Sequence, residues 1–140
     1  MKLNNLVRAS IFCALAIGMG FSLMMVPNIE LITVIVFMAG LTLGSWWGAL
    51  VGGTAIFIYS GFNPMGSGLS FPPLFIMQIL GMAITGSIGG ILRRIFYVKK
   101  MNSIILIGLA ITGFLVTMIY DVLTLISYPL LSLIHISEPT

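Results

Sequence analysis

The sequence predicts an all-α membrane protein, a compact bundle of transmembrane helices with its N-terminus in the cytoplasm. Three observations predict it. Of 140 residues, 59% are hydrophobic and only 6% are charged, with a mean hydropathy of +1.20. A soluble domain carries about 25% charged residues, and no soluble fold of this length hides so much apolar surface, so lipid is the solvent. The apolar runs are long and lack the period-two alternation of a membrane strand. Finally, the six basic residues cluster where a single membrane orientation puts them all on one side.

A spanning helix needs roughly 20 apolar residues, and five candidates follow in order. The first covers about residues 6–26. Lys2 and Arg8 precede or open it as in a signal peptide, but the apolar run is too long for a cleaved segment. The second covers about 27–46 and starts at Pro27, whose missing N–H costs little in a first helical turn. "GSWWG" (44–48) sets two tryptophans between glycines and reads as a tight interfacial turn. The third span is then about 47–62. "NPMGSGLSFPP" (63–73) is uncharged, rich in proline and glycine, and reads as a loop. The fourth span covers about 73–97. "RRIFYVKK" (93–100) holds four of the six basic residues, and the fifth span follows over about 103–129.

Orientation follows from the basic residues. With the N-terminus inside, Lys2, Arg8 and the "RRIFYVKK" loop all face the cytoplasm, and the two outer loops carry no Lys or Arg. Asp121 lies about 27 Å along the fifth helix, near the outer boundary.

The last ten residues, "LSLIHISEPT" (131–140), are similar to the translated end of a transposase sequencing adaptor. The expectation is therefore a transmembrane domain over 1–130 and a non-native tail over 131–140. The one histidine, His135, and the third acid, Glu138, fall in that tail. Six basic residues then stand against two acids, Glu30 and Asp121.

Polar groups are costly in lipid, so their placement is informative. In this topology they gather on the outer side. Asn28 and Glu30 lie in the first outer loop, Tyr59 and Ser60 end the third helix, and Asn63 and Ser67 lie in the second outer loop. Gln78 is about one and a half turns into the fourth helix. Thr117, Asp121 and Thr124, spaced i, i+4, i+7, share one face of the fifth, with Tyr120 beside them. The inner helix halves are almost purely aliphatic. That is the pattern of an outward-facing binding cavity. Plainer roles exist for each member: a loop or first-turn acid for Glu30, a cap for Asn28, an interhelical hydrogen bond for Gln78, interfacial aromatics for Tyr59 and Tyr120. Asp121, between "LVTMIY" and "VLTLI", must face protein or water and is the strongest functional candidate.

Small residues recur at spacing four: Ser10, Ala14 and Gly18; Ala16 and Gly20; Gly40 and Gly44; Gly48 and Gly52; Gly86 and Gly90. Such tracks let helices pack closely, within the bundle or, on the first helix, against a partner subunit. Zincin, Walker A and nucleophile-elbow motifs are absent, as are paired carboxylates on one helix. The single Cys13 excludes a disulfide framework and a Cys-based metal site. Neither an enzyme nor a cofactor or metal protein is expected.

"VPNIELITVIVFMAGLTLGSWWGALVGGTAIFIYSGFNPMG", "PPLFIMQILGMAITGSIGGILRR" and "IYDVLT" together resemble the substrate-binding S component of an energy-coupling factor (ECF) transporter, over about residues 7–129. The resemblance implies a small six-helix protein of the prokaryotic plasma membrane, truncated here before the sixth helix. It implies capture of a vitamin or related micronutrient from outside and delivery through a transmembrane coupling protein and two ATP-binding subunits, the S component toppling in the membrane. The first-helix track meets the coupling protein in that family; the matching residues are Ser10, Ala14 and Gly18, or Ala16 and Gly20. "VPNIE" matches the lid loop and "FNPMG" a loop lining the site. "MKLNN" lacks the N-terminal histidine of the metal-uptake branch, so cobalt and nickel are not expected. With no basic residue on the outer face, a neutral or cationic ligand suits better than a phosphorylated one. The rival function class is a proton-coupled secondary transporter, or a fragment of one, coupling through Asp121 or Glu30. A purely structural membrane subunit is the third.

Overall fold

The computed structural model describes residues 2–26, 31–64, 68–96 and 100–136, the backbone alone at 131 and 134–136. Among these residues there is no strand. The elements are α1 (Leu3–Ser22), α2 (Leu31–Leu43), α3 (Ser45–Gly61), a short 3-10 turn over Gly68–Ser70, α4 (Pro72–Phe96) and α5 (Ser103–Ile136). The all-helical expectation holds. Three helices, α1, α4 and α5 over Ser103–Leu130, are long and apolar enough to cross a membrane. α2 has 13 residues and α3 has 17, about 20 and 26 Å at 1.5 Å per residue, against a hydrocarbon core of about 30 Å. Of the five spans read from the sequence, the first, fourth and fifth are long helices, and the second and third are short ones. The expected start of the second span at Pro27 lies outside the described residues.

Two boundaries differ from expectation for local reasons. The chain breaks between α2 and α3 at one residue, Gly44, with φ +103°. Only glycine holds that conformation without strain, so neither tryptophan is needed for the turn. Trp46 and Trp47 open α3 instead, and Trp46 stays exposed. The ladder closes around the break: Gly44 N–H donates to Gly40 O (2.8 Å) and Gly48 N–H to Gly44 O (2.9 Å). The fifth helix does not stop at Pro129 but runs through it to Ile136. Proline forfeits one helical hydrogen bond; on the C-terminal side, Ser132 Oγ donates to Pro129 O (2.8 Å).

α4 is the hub, packing against α2, α3 and α5, while α1 lies across α2 and α3. The buried core runs through Ala16, Val36, Ala39, Val51, Ala55 and Met82. At its centre three backbones touch. A Cβ added at Gly40 would strike the carbonyl of Gly86, one at Gly48 would strike the same carbonyl and the Gly40 Cα, and one at Gly86 would strike the carbonyl of Gly48. One turn away, Gly90 meets Ser45, Gly89 meets the carbonyl of Phe37 and Gly52 that of Met82. Five of the six glycines in the spacing-four pairs on α2, α3 and α4 are thus used inside the bundle, the sixth being the Gly44 turn.

Gly86→Ala should lower the melting temperature sharply, by the equivalent of at least about 1–3 kcal/mol, because backbone rather than a movable side chain blocks the new methyl. Gly113→Ala, where a Cβ meets nothing within 4 Å, should leave it unchanged or raise it. Thermal unfolding of the detergent-solubilised variants by circular dichroism measures both.

Candidate functional site

Successive helices run antiparallel, so the C-terminal ends of α1, α3 and α5 gather with the N-terminal ends of α2 and α4. Between them lies an open cavity of about 1140 Å³. The described basic residues sit at the other end. Lys2 and Arg8 are at the start of α1, Arg93 and Arg94 in the last turn of α4, and Lys100 precedes α5. The Gly44 turn lies beside Arg93, 3.9 Å from where a Cβ would be. The molecule is therefore polarised: cationic at one end, concave and free of described basic residues at the other.

The helices deliver most of the predicted polar residues to that cavity. Tyr59, Asn63, Gln78, Thr117, Tyr120, Asp121 and Thr124 all line it. Tyr59 lies against Gly20 of α1, where a Cβ would be 2.9 Å from its ring. It also meets Phe21 with ring centroids 5.2 Å apart and planes at 59°, an edge-favoured aromatic arrangement. Ser60 on α3 donates to Gln78 Oε1 on α4 at 2.7 Å. Gly68 makes room for that bond, since a Cβ there would strike Ser60 Oγ. Tyr120 is buried and seated over Gly81 of α4, where a Cβ would approach its ring to 2.9 Å. Asp121 is exposed and has no hydrogen bond or ion pair among the described residues. The hydroxyls beside it on the helix do not serve it: Thr117 donates to Gly113 O and Thr124 to Tyr120 O, both at 3.0 Å.

Asn28 and Glu30 fall outside the described residues, as does Ser67. Sequence reasoning missed Tyr128 and Phe71, which also line the cavity. Tyr128 is four residues beyond Thr124 on the same face, so extending the Thr117–Asp121–Thr124 stripe by one turn finds it. Phe71 sits in the loop before α4 and carries no periodic signal.

The two small-residue tracks of α1 separate. Ser10, Ala14 and Gly18 are exposed; Ala16 and Gly20 are buried in the bundle. Gly20 in fact lines the cavity, so the Ala16–Gly20 track serves internal packing and is not open to a partner. Ser10 and Ala14 border a second, apolar hollow of about 490 Å³ with Leu6, Ile17, Trp47 and Leu50. Gly18 lies beyond its lining. Ser10 Oγ is satisfied within the helix by Leu6 O at 2.9 Å, and Thr54 of α3 also lines the hollow.

No family model, curated protein or solved structure matches this chain.

The Ser60–Gln78 bond links α3 to α4 across the cavity rim. Ser60→Ala and Gln78→Leu should each destabilise by about 1 kcal/mol, and the double variant should cost clearly less than their sum. A double-mutant cycle by thermal unfolding measures the coupling; additive losses would mean that the bond contributes nothing.

Proposed function

We propose that this chain is the substrate-capture subunit of an ECF-type importer in a prokaryotic plasma membrane, a multi-pass protein with its N-terminus in the cytoplasm. It takes a vitamin or related micronutrient from the outer side and hands it on through a coupling protein and two ATP-binding subunits. It has no ATPase of its own and catalyses no reaction. The observation that carries the reading is the polar cavity at the end of the bundle opposite the described basic residues. If basic residues mark the cytoplasmic side, that cavity opens outward. The resemblance of residues 7–129 to S components supports the same assignment.

Capture would proceed by entry from the outer end, with Gln78, Asn63, Tyr59, Tyr120 and Asp121 supplying polar contacts within the cavity. By the resemblance, "VPNIE", which holds Asn28 and Glu30, is the loop expected to cover the ligand, and "FNPMG" a loop expected to line the site. The apolar hollow beside Ser10 and Ala14 suits a helix of the coupling protein, because small residues and the satisfied Ser10 hydroxyl allow close approach.

The test is uptake of labelled vitamins into vesicles holding this chain with a coupling protein and its ATP-binding subunits. Uptake should require ATP and all partners and should survive an uncoupler. Uptake that needs no partner and collapses with the uncoupler would contradict the proposal and favour proton-coupled secondary transport. Ala14→Trp should abolish association with the coupling protein, read by co-purification, while ligand binding and the melting temperature stay unchanged.

A further inference from the structure

The capture reading leaves the ligand's chemistry open, and the cavity narrows it. Among the described lining residues, Asp121 is the one with a formal charge; the rest are apolar, aromatic, hydroxyl or amide. Its oxygens have no donor among the described residues, and the neighbouring threonine hydroxyls bond carbonyls of their own helix. An acceptor-only group thus stands exposed at the cavity, open to a donor that a ligand supplies. Gln78 presents the complementary group. Its oxygen is taken by Ser60, so its two N–H donors are the part left to meet an acceptor. Tyr128, seven residues beyond Asp121 on the same helix face, and the adjacent Tyr120 also line the cavity. Aromatic faces beside a carboxylate favour a cation with a flat or methylene body. An anion would meet Asp121 with no compensating charge at this end of the molecule.

We propose, resting on the capture reading, that the ligand is an organic cation bearing a hydrogen-bond acceptor away from its charge: the cationic nitrogen on Asp121, the acceptor on the Gln78 amide, and the body between them against Tyr120 and Tyr128. Both polar ends of such a molecule are satisfied at once; a neutral molecule of the same shape can bond both ends but without a charge to meet that of Asp121, and an anion is repelled there.

Three probes with a common skeleton and a common carbamoyl acceptor isolate the charge: para-aminomethylbenzamide as cation, terephthalamide as neutral isostere and terephthalamate as anion. Binding to the purified full chain in detergent is measured by calorimetry. The cation should bind about tenfold or more tighter than the neutral probe, and the anion weakest, the difference expected of one charge-assisted hydrogen bond. Asp121→Asn should erase the preference by weakening only the cation; retained binding of the neutral probe shows that the variant is folded. Gln78→Leu should weaken all three by a similar factor. Equal binding of cation and neutral probe, or a cation preference that survives Asp121→Asn, overturns the charge assignment and leaves the capture reading intact. No binding by any probe also overturns it, and the capture reading then stands or falls on vesicle uptake alone.

Discussion

The contact on which the rest of the structure depends is the meeting of three backbones at Gly40, Gly48 and Gly86. In lipid the hydrophobic effect does not drive one apolar helix onto another, so association relies on close van der Waals packing and whatever polar contacts the helices share. Side chains hold two helices about 8–10 Å apart, and the absence of a Cβ on all three helices removes that spacing. Gly89, Gly90 and Gly52 carry the same close approach along the neighbouring turns. α2, α3 and α4 thereby form a rigid wedge, to which α1 and α5 are attached on either side.

That wedge has a consequence for the cavity. Drawing three helices together at the end nearer the Gly44 turn leaves the other end to open, and it is there that larger residues stand between the helices. Ser60 and Gln78 bridge two members of the wedge, while Tyr59 leans from α3 onto Gly20 of α1 and Tyr120 from α5 onto Gly81 of α4. The same device, a glycine under a larger group, recurs at Gly20, Gly68 and Gly81. Small residues first bring backbones together and then seat the side chains that form the cavity wall. Polar groups elsewhere are satisfied locally: Thr42, Thr85, Ser87 and Thr112 each return a hydroxyl bond to the carbonyl four residues earlier. Among the described residues no buried side-chain N or O lacks a partner.

Much of this was legible in the sequence. The helical class came from the long apolar runs, and the spacing-four glycines announced close packing. The stripe Thr117–Asp121–Thr124 predicted that its members share a face, and they line one cavity. What was not legible was set by tertiary contact or by single-residue backbone geometry. Nothing in "GSWWG" says that Gly44 alone makes the turn; the proof is its positive φ. The two tracks on α1 look alike in sequence, yet one faces Tyr59 and Ile32 and the other faces outward. Pro129 marks a helix stop by propensity, and the helix passes it. Phe71 reaches the cavity from a loop, where periodicity carries no information.

The proposed function requires that the cavity face outward and the basic end face the cytoplasm. With Cys13 replaced by alanine, single cysteines at Ser70, on the cavity lining, and Met101, beside Lys100, report this directly. Intact cells are treated with a membrane-impermeant maleimide. The account predicts that Ser70→Cys labels at once and that Met101→Cys labels only after the cells are permeabilised. Labelling of Met101→Cys in intact cells, with Ser70→Cys protected, would contradict it.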